Sequence, residues 1–541
     1  MSTEPAAQPS PPAPADAPAP DDGVASTPAG PRRDRLLLLS VLAVATAGLV
    51  YELVSATMAS YLLGDSVTQW SLVIGVYLSA MGLGSYLSRG IERDLHGRFV
   101  GIQLGIAWVG GFSAALLFLG FAQLASVRPL LFGLLTLVGT LVGLEIPLLL
   151  RILERGAALK DVVARVLAFD YVGSLAASLM FPLVLLPHLG LVRTAMLLGI
   201  VNAAVALWFL HAFADEIGAW SRRRALAWLT LAVLVAGFWA APAVERFGED
   251  ELYDAPVVFS QRTPYQRLTL TRWHDDLRLF IDGNLQFSSL DEHRYHEALV
   301  HPLLAVAPAR ERLRVLVLGG GDGLAVRELL HDDRVASVQL VDLDPAMTEL
   351  FGSHPVLVAL NEGAFADPRV SIANADAMEW LSERRRGGAE PFDLAIVDLP
   401  DPNDFSLGKL YTRAFYRLLA SQLTADGAFV VQATSPYLAP RAYWCIVNTL
   451  AASGLTTLPF HAHVPSFGDW GYVLASARPS FVAPTRLHPG VGLRFLDDAM
   501  LPSLFVFPAD QRPAEVGINQ LNEQLLVHYY EADLQSPGRR G

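Results

Sequence analysis

The 541-residue chain has a single cysteine, Cys445. No intrachain disulfide can form, and a zinc site built on several thiolates is excluded. Charge is scarce at 17% of residues, and positive charge scarcer still, with 40 Lys and Arg against 53 Asp and Glu and a net charge of −13. Binding phosphate backbones takes basic surface, so the charge balance argues against a general nucleic-acid partner. An acidic balance suits small cationic substrates. What the chain has in plenty is apolar residues, 52% of the total, concentrated before about residue 245. That excess points to membrane spans.

Composition divides the chain into five parts. Residues 1–35 begin with a Pro/Ala-rich tail that cannot bury enough surface to fold. Residues 36–245 hold seven apolar segments (36–63, 68–88, 99–124, 128–150, 164–186, 193–214 and 225–243), each near the ~20 residues that span hydrocarbon. Residues 250–290 alternate as strands around the turn Asp282-Gly283-Asn284 and read as a small β-domain. Residues 291–485 alternate strands with helices, the pattern of a Rossmann-like, doubly wound parallel sheet. Residues 486–541 form a C-terminal extension without a functional reading.

Basic clusters at Arg32, Arg33 and Arg35, at Arg89, Arg93 and Arg98, at Arg151, Arg155 and Lys160, and at Arg222 to Arg224 recur at alternate loops. By the positive-inside bias the N-terminus is cytoplasmic. Within the segments lie Glu52, Glu145 and Asp170. Each reads either as an interhelical hydrogen bond or a position at a span end, or as part of a polyamine or proton path.

Four elements of the α/β region fall on one rim. The strand Arg314–Leu318 runs into Gly319-Gly320-Gly321-Asp322-Gly323, where glycines let the backbone approach a ligand closely. Asp342 ends the next strand, placed for ribose hydroxyls. Asp376, with Ala377 after it, follows the third, and Asp398-Leu399-Pro400-Asp401-Pro402 the fourth. Open α/β sheets bind ligands at these carboxyl ends. No lysine follows the glycines, so this is not a Walker loop. Asp322 would repel a pyrophosphate, and equally the carboxylate of S-adenosylmethionine. It would attract a primary ammonium, which favours decarboxylated S-adenosylmethionine.

Thr263-Pro264-Tyr265-Gln266, Tyr295–Pro302, the Gly319–Gly323 loop, Val341–Asp344, Asp376, Asp398–Pro402 and Gly408–Tyr411 together resemble the spermidine synthase (polyamine aminopropyltransferase) family over residues 253–480. The apolar N-terminal half resembles its membrane-embedded bacterial branch. The resemblance implies that Gln266 contacts the donor nucleoside, and that Gly319 and Gly321 line it. It implies that Asp322 holds the aminopropyl ammonium, Asp342 the ribose and Asp376 the adenine. Asp398 would be the catalytic base, helped by Tyr295, with Asp401 and His296 placing the acceptor amine. Putrescine is the default acceptor.

Two departures stand out. Leu399 and Pro400 replace the small or polar residues between the paired aspartates. The family's late tyrosine has no clear counterpart, and Asp469 or Trp470 is the expected substitute. Asp404–Lys409 reads as a loop able to close over the site. No metal and no tightly bound cofactor are expected, and His461 with His463 reads as a surface or site-lining loop rather than a metal pair. Expected partners are a polyamine, the lipid bilayer and no nucleic acid, with a homo-oligomer left open. A donor made inside the cell places the catalytic domain at the cytoplasmic face of the cell membrane, although seven crossings would carry it outside. Two other readings compete. One is an S-adenosylmethionine-dependent methyltransferase. The other is a polyamine transporter or sensor with a regulatory nucleoside domain.

Overall fold

The computed structural model describes residues 31–63, 66–124, 126–154, 159–253, 255–490 and 492–534. Most of the expected N-terminal tail lies outside them. Among the described residues the apolar half folds as seven long helices: α1 (Pro31–Leu63), α2 (Ser66–Leu87), α3 (Leu95–Gln123), α4 (Arg128–Leu153), α5 (Leu159–Met180), α6 (Leu186–Ala212) and α7 (Trp220–Leu252). The helix α1 packs against α2 to α6, and α3 against α6 and α7.

Among the described residues, six stretches are long and apolar enough to cross a membrane by length and composition. The fifth runs 53 residues, Lys160–Ala212, and would extend about 80 Å as one straight helix. It is not straight. Gly190 takes φ +73°, a conformation that favours glycine. Just beyond it, Thr194 Oγ1 donates to the Leu185 carbonyl, nine residues earlier, at 3.3 Å. In a continuous helix those groups would sit about 13 Å apart along the axis. The helix breaks at Gly190, inside α6, so the stretch is kinked there.

The next segment forms a four-stranded antiparallel sheet in the order β1 (Val257–Arg262), β2 (Arg267–Trp273), β3 (Asp276–Ile281), β4 (Asn284–Ser288). Asp282 and Gly283 both take positive φ, 48° and 84°, as a two-residue hairpin matching the strand twist requires. Leu268, Leu270, Leu279 and Phe287 on its buried face share one apolar cluster with Leu324, Met347 and Phe351. The core of this small sheet is therefore continuous with that of the α/β unit.

The α/β unit runs α8 (Glu292–Ala305), β5 (Leu313–Gly319), α9 (Leu324–Leu330), β6 (Val335–Asp342), α10 (Pro345–Ser353), α11 (Pro355–Leu360), β7 (Val370–Asn374), α12 (Ala377–Gly387), β8 (Phe392–Asp398), α13 (Phe405–Gly408), α14 (Arg413–Ala420), β9 (Leu423–Gln432), α15 (Pro440–Ala452), β10 (Thr456–Val464), β11 (Gly468–Ser476) and α16 (Leu525–Leu534). Its seven-stranded sheet has the order β10-β11-β9-β8-β5-β6-β7. The run from β9 to β7 is parallel, and β11 joins β9 antiparallel with β10 outside it. Apolar clusters cover both faces, as a parallel sheet requires. Strand order reverses between β5 and β8, and the crevice at the carboxyl ends there is where such sheets take ligands.

Candidate active site

The turn after β5 is shaped by what it must pass. Gly319 has φ +79°, and a side chain there would run into the Asp398 carbonyl oxygen. Gly320 N–H donates to that same oxygen at 3.0 Å, so the glycine turn is stitched to the end of β8. A Cβ on Gly321 would lie 2.6 Å from Asp342 Oδ2. The absence of a side chain lets this carboxylate lie against the loop.

Asp322 sits in the loop, 8% exposed. It accepts from Leu324 N–H at 2.9 Å, and Asn361 holds its backbone carbonyl at 3.1 Å. Burial raises its pKa, partly offset by the charge of His296. Its own charge raises the pKa of both Asp342 and Asp398. Burial is the main cause of the rise at both, to about 6 at Asp342 and to about 6 at Asp398. Three carboxylates thus crowd one crevice, a standing demand for a cation.

Tyr295, on α8, donates its hydroxyl to Asp398 Oδ1 at 2.6 Å. Burial keeps the phenol protonated, its pKa well above the ordinary value, so the tyrosine is the donor. Next to it, burial pushes the His296 pKa down, but Glu292, at 2.9 Å from Nδ1, overrides that and lifts it to about 9. His296 is therefore an imidazolium at neutral pH, its charge felt by both Asp322 and Asp398. Arg327 anchors this floor. It grips both oxygens of Glu292 at 3.0 Å and reaches Glu328 at 2.8 Å, while His301 meets Glu328 from the other side at 2.9 Å. Sequence reasoning missed this buried network, because its members come from two helices.

Asp401 is also raised to about 6, chiefly by burial. It takes hydrogen bonds from Thr434 Oγ1 at 3.1 Å and from the Tyr530 hydroxyl at 2.8 Å. The Asp398–Asp401 link is held by Tyr411, whose hydroxyl donates to the Pro400 carbonyl at 3.0 Å. Leu399 and Pro400 are held there through their backbone carbonyls, and the Leu399 side chain packs against the apolar core. Tyr530 lies on α16, in the extension that had no functional reading, and nothing local in the sequence marks it. The expected substitute Asp469 is committed elsewhere, to His461 at 2.7 Å and Gln511 at 2.6 Å. Trp470 packs beside Phe467, which faces Tyr295.

On the donor side, Asp376 caps α12 through Met378 and Glu379 N–H, with Ala377 as the first helical residue. Its other oxygen is taken by Lys409 Nζ at 2.6 Å. Gln266 does not point freely into the crevice; its Nε2 donates to Asp344 Oδ2 at 3.0 Å, tying the β1–β2 turn to the end of β6. The expected loop 404–409 is largely a turn of helix, α13, capped by Asp404. Asn519 pins it by donating to the Gly408 and Tyr411 carbonyls at 3.0 and 3.2 Å.

Residues 292–485 match the spermine/spermidine synthase domain. Polyamine aminopropyltransferase 2 of Ralstonia nicotianae is 52% identical over 93% of this chain and 98% of its own. The chain belongs to the spermine/spermidine synthase family. The polyamine aminopropyltransferase of Leptospira interrogans is 47% identical over 92% of this chain and 98% of its own. That of Mycobacterium tuberculosis is 40% identical over 93% and 97%. A crystal structure of spermidine synthase in complex with the transition-state analogue AdoDATO aligns over 47% of this chain and 85% of its own, at 26% identity and a TM-score of 0.42. The chain is thus an enzyme of the aminopropyltransferase type. The match to the three polyamine aminopropyltransferases, over 92–93% of this chain, takes in the helical half as well as the synthase domain.

Proposed function

We propose that the chain moves the aminopropyl group of decarboxylated S-adenosylmethionine onto a polyamine acceptor, putrescine by default. The products are spermidine and 5′-methylthioadenosine. The observation that carries this reading is the Tyr295–Asp398 pair set beside Asp322 on one rim.

The donor carbon next to the sulfonium is electrophilic. The acceptor nitrogen attacks it, the C–S bond breaks, and its electron pair goes to sulfur, which leaves as a neutral thioether. Only a neutral amine has the lone pair, and a free alkylamine has a pKa near ~10.4. Asp398 binds the acceptor as a cation and takes the proton it must lose. Tyr295 holds the carboxylate in place and lowers its pKa through the hydrogen bond. Asp322 takes the donor's terminal ammonium, Asp342 the ribose hydroxyls and Asp376 the adenine. Asp401 fixes the far end of the acceptor, a positioning effect. His296 balances the charge of the two central aspartates.

The helical half is a multi-pass anchor in the cell membrane. Leu78, Tyr171, Leu175, Leu183 and Trp239 face outward with more than half their surface exposed, a lipid-facing pattern for helices that also bury an apolar core. The catalytic domain lies at the cytoplasmic face, where its donor is made. A cytoplasmic N-terminus then requires that one of the seven long helices not cross.

The test is chemical. The full chain in detergent is given decarboxylated S-adenosylmethionine and a panel of amines, and products are identified by mass spectrometry. Spermidine from putrescine is expected. Turnover of the carboxylated donor with methyl transfer would overturn the reading.

A further inference from the structure

Glu52 on α1, Glu145 on α4 and Asp170 on α5 line one cavity of about 170 Å³ within the helical half. The rest of the wall is mainly apolar, with Val41, Val44, Leu49, Leu78, Val142 and Leu149 among it, and among the described residues it contains no Lys, Arg or His. Glu52 is 8% exposed and has no hydrogen-bond or ion-pair partner among the described residues. Glu145 is 1% exposed and receives one hydrogen bond, from Gln103 Nε2. Asp170 has no partner among the described residues either. The Tyr77 hydroxyl, also in the wall, is spent on the Gly48 carbonyl at 2.8 Å.

A buried carboxylate without a partner, such as Glu52, is costly, and the singly hydrogen-bonded Glu145 and the partly buried Asp170 add their charge to the same cavity. A bound cation removes that cost. The arrangement says which kind. A metal ion needs oxygens converging on a point, six to eight of them for calcium. No group of three His, Cys, Asp or Glu among the described residues is placed to hold one. These carboxylates are instead distributed along an apolar wall. An alkylammonium matches that layout: each head carries three N–H donors, and the methylene spacer lies on aliphatic side chains. The volume is that of about five or six waters, which suits a short chain of a similar number of heavy atoms.

We propose that this cavity is a second cation site, for a linear alkyl diammonium or the end of a longer oligoamine, separate from the aminopropyl-transfer site. The ligand class follows from the cavity's own groups and does not rest on the catalytic reading. Position still matters to function: a chain that makes oligoamines in one domain would bind them in the other.

The full chain in lipid nanodiscs is titrated with radiolabelled putrescine and spermidine by equilibrium dialysis. The Asp398→Asn/Asp401→Asn variant, stripped of its catalytic acceptor contacts, is expected to retain one site per chain. Adding Glu52→Gln should weaken that site by at least about tenfold, the loss expected for one charge-assisted contact. Glu52→Gln alone should leave aminopropyl transfer within about twofold of the unaltered chain, so the two sites fail separately. Asp170→Asn repeats the test on a second wall, with melting temperature checked for each variant. Unchanged binding in both carboxylate variants, or displacement of the amine by equimolar sodium or magnesium, overturns the proposal.

Discussion

The hydroxyl of Tyr295 and Oδ1 of Asp398 meet at 2.6 Å across 103 residues of sequence. The contact joins the first turn of α8 to the last residue of β8, between which the whole donor-binding half of the sheet is laid down. It fixes the orientation of the carboxylate.

Replacing Asp398 by Asn keeps the shape and removes the proton acceptor. Turnover is expected to fall by about 10²–10⁴, the usual contribution of a positioned base. Affinity for 5′-methylthioadenosine, measured by calorimetry, should stay within a few-fold. Near-normal turnover in the Asp398→Asn variant would assign the base elsewhere.

Tyr295→Phe acts through pH. Asp398 has a pKa of about 6, already raised by burial and held from rising further by the Tyr295 hydrogen bond. The ionised form does the chemistry, so kcat/KM for the acceptor should rise with pH through about 6. Removing the hydroxyl lifts the Asp398 pKa, and the acid limb of the profile moves to higher pH. A limb that stays in place, or moves down, would refute the hydrogen bond's role.

Tyr530→Phe deletes the hydroxyl on Asp401. A hydrogen bond to a charged group is worth about 1.5–3 kcal/mol, so the acceptor KM is expected to rise by about tenfold or more. The donor KM should not change. Equal losses for both substrates would reduce Tyr530 to a general packing role.

Lys409→Met frees Asp376. The ion pair is partly exposed, with about a third of each side chain in solvent, and such pairs are worth about 1 kcal/mol or less. If adenine binds at Asp376 it must displace Lys409, and the donor KM should drop by a few-fold. A rise in donor KM would instead make Lys409 a contact that closes over the bound nucleoside.

The donor rim was legible in the sequence because its parts are local. Strands β5, β6, β7 and β8 each end in a rim residue within a turn or two of the hydrophobic run that predicts the strand. The turn at Asp282 and Gly283 was readable for the same reason. The acceptor side was not. Tyr530 reaches Asp401 over 129 residues, and Asp469, near in sequence to the expected place, is drawn away by His461 and Gln511. Lys409 on Asp376 and Arg327 on Glu292 are side-chain pairings between distant elements, which no periodicity encodes. The segment 404–409 looked like an open loop because the partner that holds it, Asn519, comes more than a hundred residues later.

The placement of Tyr530 has a bearing on synthesis. The donor rim is complete once β9 has left the ribosome, but Tyr530, which completes Asp401's surroundings, lies on α16, well after β9 ends at Gln432. A growing or prematurely terminated polypeptide would carry a nucleoside pocket with an unfinished amine pocket. Only a chain translated beyond Tyr530 would couple the two.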